Sequence, residues 1–351
     1  MIRWTPALVF LCACMVNETS SDVHEEMLDL GPVVSNDAAG DQDAQGLSDE
    51  GDIHGGEQSG VSYGIEFITL STAFWGASSL AVTPDGNNGI MGMSYGTGTC
   101  EYNPDTGQLG SEDNSTDCDD EVLFYTWGGQ AVVAGFECEM LVYGDSEVEI
   151  AGLLNAEVYG EGFVTLERGD ISAPCQITRH TGADVATSTA VSSGICAQPK
   201  TLMTTDPEAG RVFIATGEDL WSVGETDAEV VATDVAHAAV DRNTGDLMVA
   251  AYGAEEVRML TAEGEELWTL PLEGTVAGVR TLGTMGLALV HVLGEGDMPG
   301  TFVTVHLEDG QVWAEHVAWP NVNDWDVSAD GSTFSVAAGS NVYTYGVRLV
   351  E

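Results

Sequence analysis

The densest run of oxygen ligands in the chain is Asp113-Asn-Ser115-Thr-Asp117-Cys-Asp119-Asp-Glu121. Alternating oxygens at Asp113, Ser115, Asp117 and Asp119 suit a hard cation, and calcium is the ion they imply. Cys118 stands where the sixth position of such a loop calls for glycine, so a solvated polar loop is the competing reading. Asp241-Arg-Asn243-Thr-Gly245-Asp246 has similar spacing and reads more simply as a hairpin turn. A second polar segment, NVNDWD, places Asn321, Asn323, Asp324 and Asp326 beside Trp319 and Trp325 and is the candidate ligand-contacting loop. His291, His306 and His316 fall close enough in sequence to converge, but no H-x-x-x-H or His-Glu pairing suggests zinc. A G-x-S-x-G nucleophile turn is absent, as is a glycine-rich phosphate loop ahead of a helix. No catalytic residue and no cofactor is therefore assigned, and calcium is the one ion the spacing admits.

The elements that would position these groups repeat. From about Ser78 onward the chain is a series of cassettes of about 40 residues, each an apolar strand, a tight polar turn and two or three further strands. The turns include TPDGNNG, DPEAGR, DRNTGD and SADGST. Self-similarity at this period without helical patterning predicts an all-β protein, a β-propeller. First strands are placed near Ser79, Glu121, Glu157, Lys200, Ala236, Val276 and Asp324, which gives seven blades, with six or eight as alternatives. The last cassette lacks its outermost strand. Tyr63 to Ser71 has strand composition and is expected to supply it, because an open ring would expose an unpaired edge.

Cysteines follow the same period. Cys100, Cys138 and Cys175 recur at intervals of 38 and 37, so they should occupy equivalent strands, and Cys118 and Cys196 follow the first and third by 18 and 21. Intrablade disulfides Cys100–Cys118 and Cys175–Cys196, with Cys138 free, are expected in an oxidising compartment. Five reduced, buried thiols are the alternative that the odd count keeps open.

The composition changes sharply upstream. Met15 to Gly60 holds twelve acids, no Lys or Arg and no aromatic residue, a composition that cannot offset the entropy of ordering. Across the whole chain 57 acids face nine bases, for a formal charge of -48. Such a surface repels phosphate backbones and excludes nucleic acid as a partner. It fits either a cation-loaded protein or a self-repelling surface suited to a salty medium. The domain plan is a leader over 1–13, an acidic disordered tether over 14–60 and a propeller over 61–351.

The segment Leu11-Cys12-Ala13-Cys14 closes a short apolar run and resembles the bacterial lipobox. The resemblance implies that Cys14 becomes the acylated first residue of a mature lipoprotein. Met15 after it, rather than Asp, implies the outer membrane, facing the periplasm or the cell surface. An ordinary secretory signal, or a misplaced start, is the alternative. GEELWTL (Gly264 to Leu270) resembles the repeat of quinoprotein-type, WD-like propellers, whose tryptophan packs between neighbouring blades; DGQVW (Asp309 to Trp313) has the tryptophan one residue early. The resemblance implies a propeller of that general kind and no quinone. SADGSTF is near the Asp-box turn of sialidases but is a residue short, and the head lacks the arginine cluster those enzymes need. The function expected is a lipid-anchored, extracytoplasmic binding or scaffold module for an envelope protein or extracellular ligand, held at the membrane by lipid alone. A propeller lyase or hydrolase on an extracellular polymer, and a calcium-dependent adhesion module, are the alternatives.

Overall fold

Glycine and Asx turns at the predicted places reverse the chain between short strands, each too narrow to fold alone, which stack radially into seven sheets. The computed structural model describes residues 62–72, 76–93, 98–110, 121–136, 139–168, 174–182, 184–191, 194–196, 202–294, 300–317 and 322–350. The leader, the tether, Cys14, Cys118, Cys138, Asn321 and the run from Asp113 to Asp119 lie outside them.

The first element, β1 (Ser62–Thr72), belongs to the last blade. Blade one comprises β2 (Ala77–Val82), β3 (Gly89–Met93) and β4 (Thr99–Tyr102), with a further bridge from Tyr102 to Leu109. Blade two is β5 (Glu121–Tyr125), β6 (Ala131–Gly135), β7 (Met140–Tyr143) and β8 (Ser146–Glu149). Blade three is β9 (Leu153–Tyr159), β10 (Gly162–Arg168), β11 (Cys175–Thr181) and β12 (Asp184–Val191). Blade four is β13 (Leu202–Asp206), β14 (Arg211–Ala215), β15 (Asp219–Val223) and β16 (Ala228–Thr233). Blade five is β17 (His237–Val240), β18 (Leu247–Ala250), β19 (Glu256–Leu260) and β20 (Glu266–Pro271). Blade six is β21 (Thr275–Thr281), β22 (Leu287–Leu293), β23 (Thr301–His306) and β24 (Val312–Val317). Blade seven is β25 (Val322–Val327), β26 (Thr333–Ala338), β27 (Asn341–Val350) and, outermost, β1.

All pairings are antiparallel, and the ring closes where β1 meets β27, from Ser62 opposite Val350 to Thr72 opposite Asn341. The start of the head thus completes the blade formed by its end, at the strand expected from Tyr63 to Ser71. Burial follows position in the blade. The second strands β18 and β26 are buried at every residue, because neighbouring blades cover both faces. The outermost β16 and β20 are mostly exposed. The apolar interior is divided into seven clusters among the described residues, one at each interface between consecutive blades. The seventh, joining Ala337 and Val342 to Leu80, Met91 and Tyr102, seals blade seven against blade one.

Trp268 sits between blades five and six, with its indole N–H donating to the carbonyl of Leu307 at 2.9 Å. Gly264 earlier in the same hairpin has φ +88, and a Cβ there would collide with the Val231 carbonyl of blade four. Cys175 and Cys196 form a disulfide, with Cα atoms 6.2 Å apart. Cys196 lies in a turn beyond the end of β12, rather than on the adjacent strand, since Cys175 pairs with Val191. Cys100 is also disulfide-bonded, on the third strand of its blade as Cys175 is on its own.

Candidate functional site: the axial channel

A four-stranded blade leaves the inner edge of its first strand unpaired, and seven such edges surround the axis. The enclosed channel has a volume of about 300 Å³ and is lined by residues of all seven first strands, β2, β5, β9, β13, β17, β21 and β25. Its walls are apolar at Leu80, Val82, Val122 and Leu202, and polar at Glu157, His237, Arg242, Arg280, Asp324 and Asp326.

The segment Asn321 to Asp326 was read from sequence as a loop. Residues 322 to 327 are instead strand β25, and the strand period of two puts Asp324 and Asp326 on one face. Both reach across the closure to blade one. Asp324 Oδ2 accepts the N–H of Leu80 and Asp326 Oδ2 the N–H of Val82, each at 2.8 Å. Asn323 Nδ2 donates to the carbonyl of Ala77 at 2.7 Å. These side chains satisfy the edge of β2 that no strand can pair. Threonines do the converse elsewhere: Thr205 Oγ1 donates to the Val158 carbonyl at 2.7 Å, and Thr281 Oγ1 to that of Val240 at 2.8 Å.

Burial shapes the protonation of the cluster. It pushes the Glu157 carboxyl up to about 7 and that of Asp324 up to about 6, in each case against the pull of Arg280. Asp326 is raised by the same balance. His237 is lowered, by burial first and then by Arg280, so its imidazole is neutral near pH 7. Arg280 is thus the cation felt by every titratable group at mid-channel. Its guanidinium lies 5.5 Å from the centre of the Trp325 ring, and its Nη1 donates to its neighbour's carbonyl, Val279 O, at 3.2 Å. At the far end Arg242 of blade five lies 4.3 Å from the ring centre of Trp127 of blade two, closing the mouth across the axis. The site can fix charge of both signs.

The other sequence candidates fall elsewhere. His291 is buried and stacked on Phe302 at 4.7 Å, with burial lowering it to about 4. His306 instead pairs with Asp309 at 3.2 Å, so these two histidines do not meet. Asp241 to Asp246 forms the hairpin expected, with Asp241 Oδ1 accepting the Asn243 N–H at 2.9 Å. Among the described residues no group of three metal-ligating side chains comes together. Glu157, Arg280, Arg242, His237 and Trp127 were not singled out from sequence. The usable signal was placement on, or just after, the first strand of a cassette, combined with the scarcity of cations in this chain.

No protein-family model and no curated protein matches the chain. Among solved structures, a chain of the mitotic checkpoint complex crystal structure is similar at a TM-score of 0.61 and 9% identity, over 88% of this chain and 100% of that one. The C-terminal WD40 domain of Sif2 is similar at a TM-score of 0.53 and 12% identity, over 77% of this chain and 81% of that one. At these identities the likeness is one of fold: an all-β, seven-bladed, WD40-like propeller.

Proposed function

We propose that this chain is a protein-binding or scaffold module of the cell envelope, carried by a lipid on Cys14 and an acidic tether. One observation carries the reading. The loops joining second to third strands, and those joining one blade to the next, share one rim of the ring. On that rim three consecutive blades expose large apolar side chains: Leu202 at 40%, Tyr252 at 88% and Leu293 at 47%. Glu218, Asp234, Glu255, Glu256 and Glu273 are exposed around them. Backbone hydrogen bonds hold the rim rigid, from Gly217 N to Val235 O and from Val276 N to Ala254 O, at 2.9 and 2.8 Å. One aromatic and two aliphatic anchors with an acidic surround suit a partner that offers apolar and basic groups. No helix among the described residues is long and apolar enough to cross a membrane, so a lipid is the attachment this reading needs.

The test is capture from envelope extracts at two salt concentrations. A defined partner should be retained by the wild type, weakened by salt and lost by Tyr252→Ser with Leu293→Ser. Retention by that double variant at wild-type affinity would sink the proposal, and so would failure of the parent chain, like Cys14→Ala, to take up tritiated palmitate and reach the envelope. The enzyme alternative draws on Glu157, whose carboxyl near 7 suits proton transfer. It predicts turnover on glycan or peptide panels that Glu157→Gln abolishes.

A further inference from the structure

The channel holds charges of both signs at different depths. First strands run from one mouth to the other, so position in the strand reads depth. His237 opens β17 and Asp324 is the third residue of β25, near the rim that bears Leu202. Arg280 is the penultimate residue of β21, level with Asp326, and Arg242 lies beyond the end of β17 against Trp127. Both arginines therefore lie toward the Trp127 end, with Asp326 beside Arg280, and Asp324 lies one step nearer the Leu202 rim. Glu157 lies between and feels both arginines.

A simple anion entering this channel would meet three carboxylates, and a simple cation would be stopped by Arg280. A ligand carrying both signs, with its negative end inward, complements both. Planar guanidinium groups favour a carboxylate over a point anion, and a carboxylate oxygen that accepts one backbone N–H, as each oxygen of Asp324 does from Leu80 and Trp325, retains a lone pair for an ammonium. None of the three carboxylates forms an ion pair with Arg280 among the described residues, and its Nη1 donates to the Val279 carbonyl, so a ligand would use the remaining guanidinium donors. A volume of about 300 Å³ is at the small end of ligand sites. The walls at Val122 and Leu202 suit an apolar side chain.

We propose that the axial channel binds a free α-amino acid with an apolar side chain, its carboxylate on Arg280 and its ammonium among Asp324, Asp326 and Glu157. Pre-fixing of Asp324 and Asp326 by the backbone of β2 keeps the ordering cost low. The site shares only Leu202 with the rim that the protein-binding reading uses.

Isothermal titration of the full chain with L-leucine, L-leucinamide and 4-methylpentanoate tests it, since the last two each lack one charge. Leucine should bind one to one, and each analogue at least about tenfold more weakly. Arg280→Met should lose leucine binding while keeping a cooperative melting transition. Leu202→Trp, at an exposed mouth position, should also lose it and serves if Arg280→Met does not fold. Absence of binding at millimolar leucine would overturn the proposal, as would equal affinity for either analogue or unchanged binding by the Leu202→Trp protein.

Discussion

At the scale of single residues, the carboxylates of the channel hold the ring before they do anything else. Asp324 accepts a backbone N–H that lies 244 positions away in sequence, so nothing local to NVNDWD announces the role. The sequence marked Asp324 as chemically interesting and misread its setting, because an inner edge that needs capping exists only once the ring has closed. Asp324→Ala should cost about 1–3 kcal/mol in urea unfolding, since it leaves the Leu80 N–H without its acceptor. Asp324→Asn should cost less, because the amide oxygen still accepts. Protonation gives a second expectation. Glu157 rises from 4.5 to about 7 and Asp324 from 3.8 to about 6, so the folded state holds protons that the unfolded state has released. Stability from these two groups is therefore greatest at low pH and falls as pH rises from about 4 to about 7, then levels. Denaturation midpoints across that window should show a slope that Glu157→Gln reduces; an unchanged slope would mean that Glu157 titrates normally.

At the scale of elements, what was legible was whatever a single strand or turn encodes in its own residues. Polar turns such as SADGST mark the hairpins, and YGIEFITLS has the composition of a strand looking for a partner. Blade three was harder. Its second strand is joined to the first by the bare turn of Gly160 and Glu161, and Cys196 falls past β12 rather than on it. Strand β1 is the element on which closure depends, since it covers β27 and places Phe67 5.8 Å from Tyr345 in an edge-on contact. Deleting residues 62–72 should lower the melting temperature by more than about 10 °C, because it exposes a long edge and loosens blade seven against blade one. Adding the Ser62–Thr72 peptide should recover part of the loss. A melting curve indifferent to the deletion would show that the ring closes some other way. Gly264→Ala is the local counterpart: the added methyl meets the Val231 carbonyl at a φ of +88, and a loss of about 2 kcal/mol or more is expected in the same unfolding assay.

At the scale of the whole molecule, charge is the property that no blade explains. The 36.9 kDa chain has a formal charge of -48. Among the described residues exposed acids stand on rims, as Glu218 and Asp234, and on outer strands, as Glu229 and Glu266, and only one ion pair joins an arginine to a carboxylate, Arg211 with Asp227 at 3.0 Å. Carboxylates without cationic neighbours repel one another over distances that salt screens, with a Debye length of about 30 Å at 0.01 M and about 8 Å at 0.15 M. The composition alone allowed two readings, a cation-loaded protein or a surface suited to salt, and their response to salt tells them apart. Among the described residues no group of three side chains is placed to hold a metal ion. Repulsion across such a surface weakens the compact state. The melting temperature should therefore rise by several degrees between about 0.01 and 0.15 M sodium chloride, and choline chloride should do the same, because screening is indifferent to the identity of the cation. Calcium chloride at matched ionic strength should add nothing further to the described head. A calcium increment well beyond the sodium curve, removed by Asp117→Ala with Asp119→Ala, would instead identify a bound ion and return the adhesion reading.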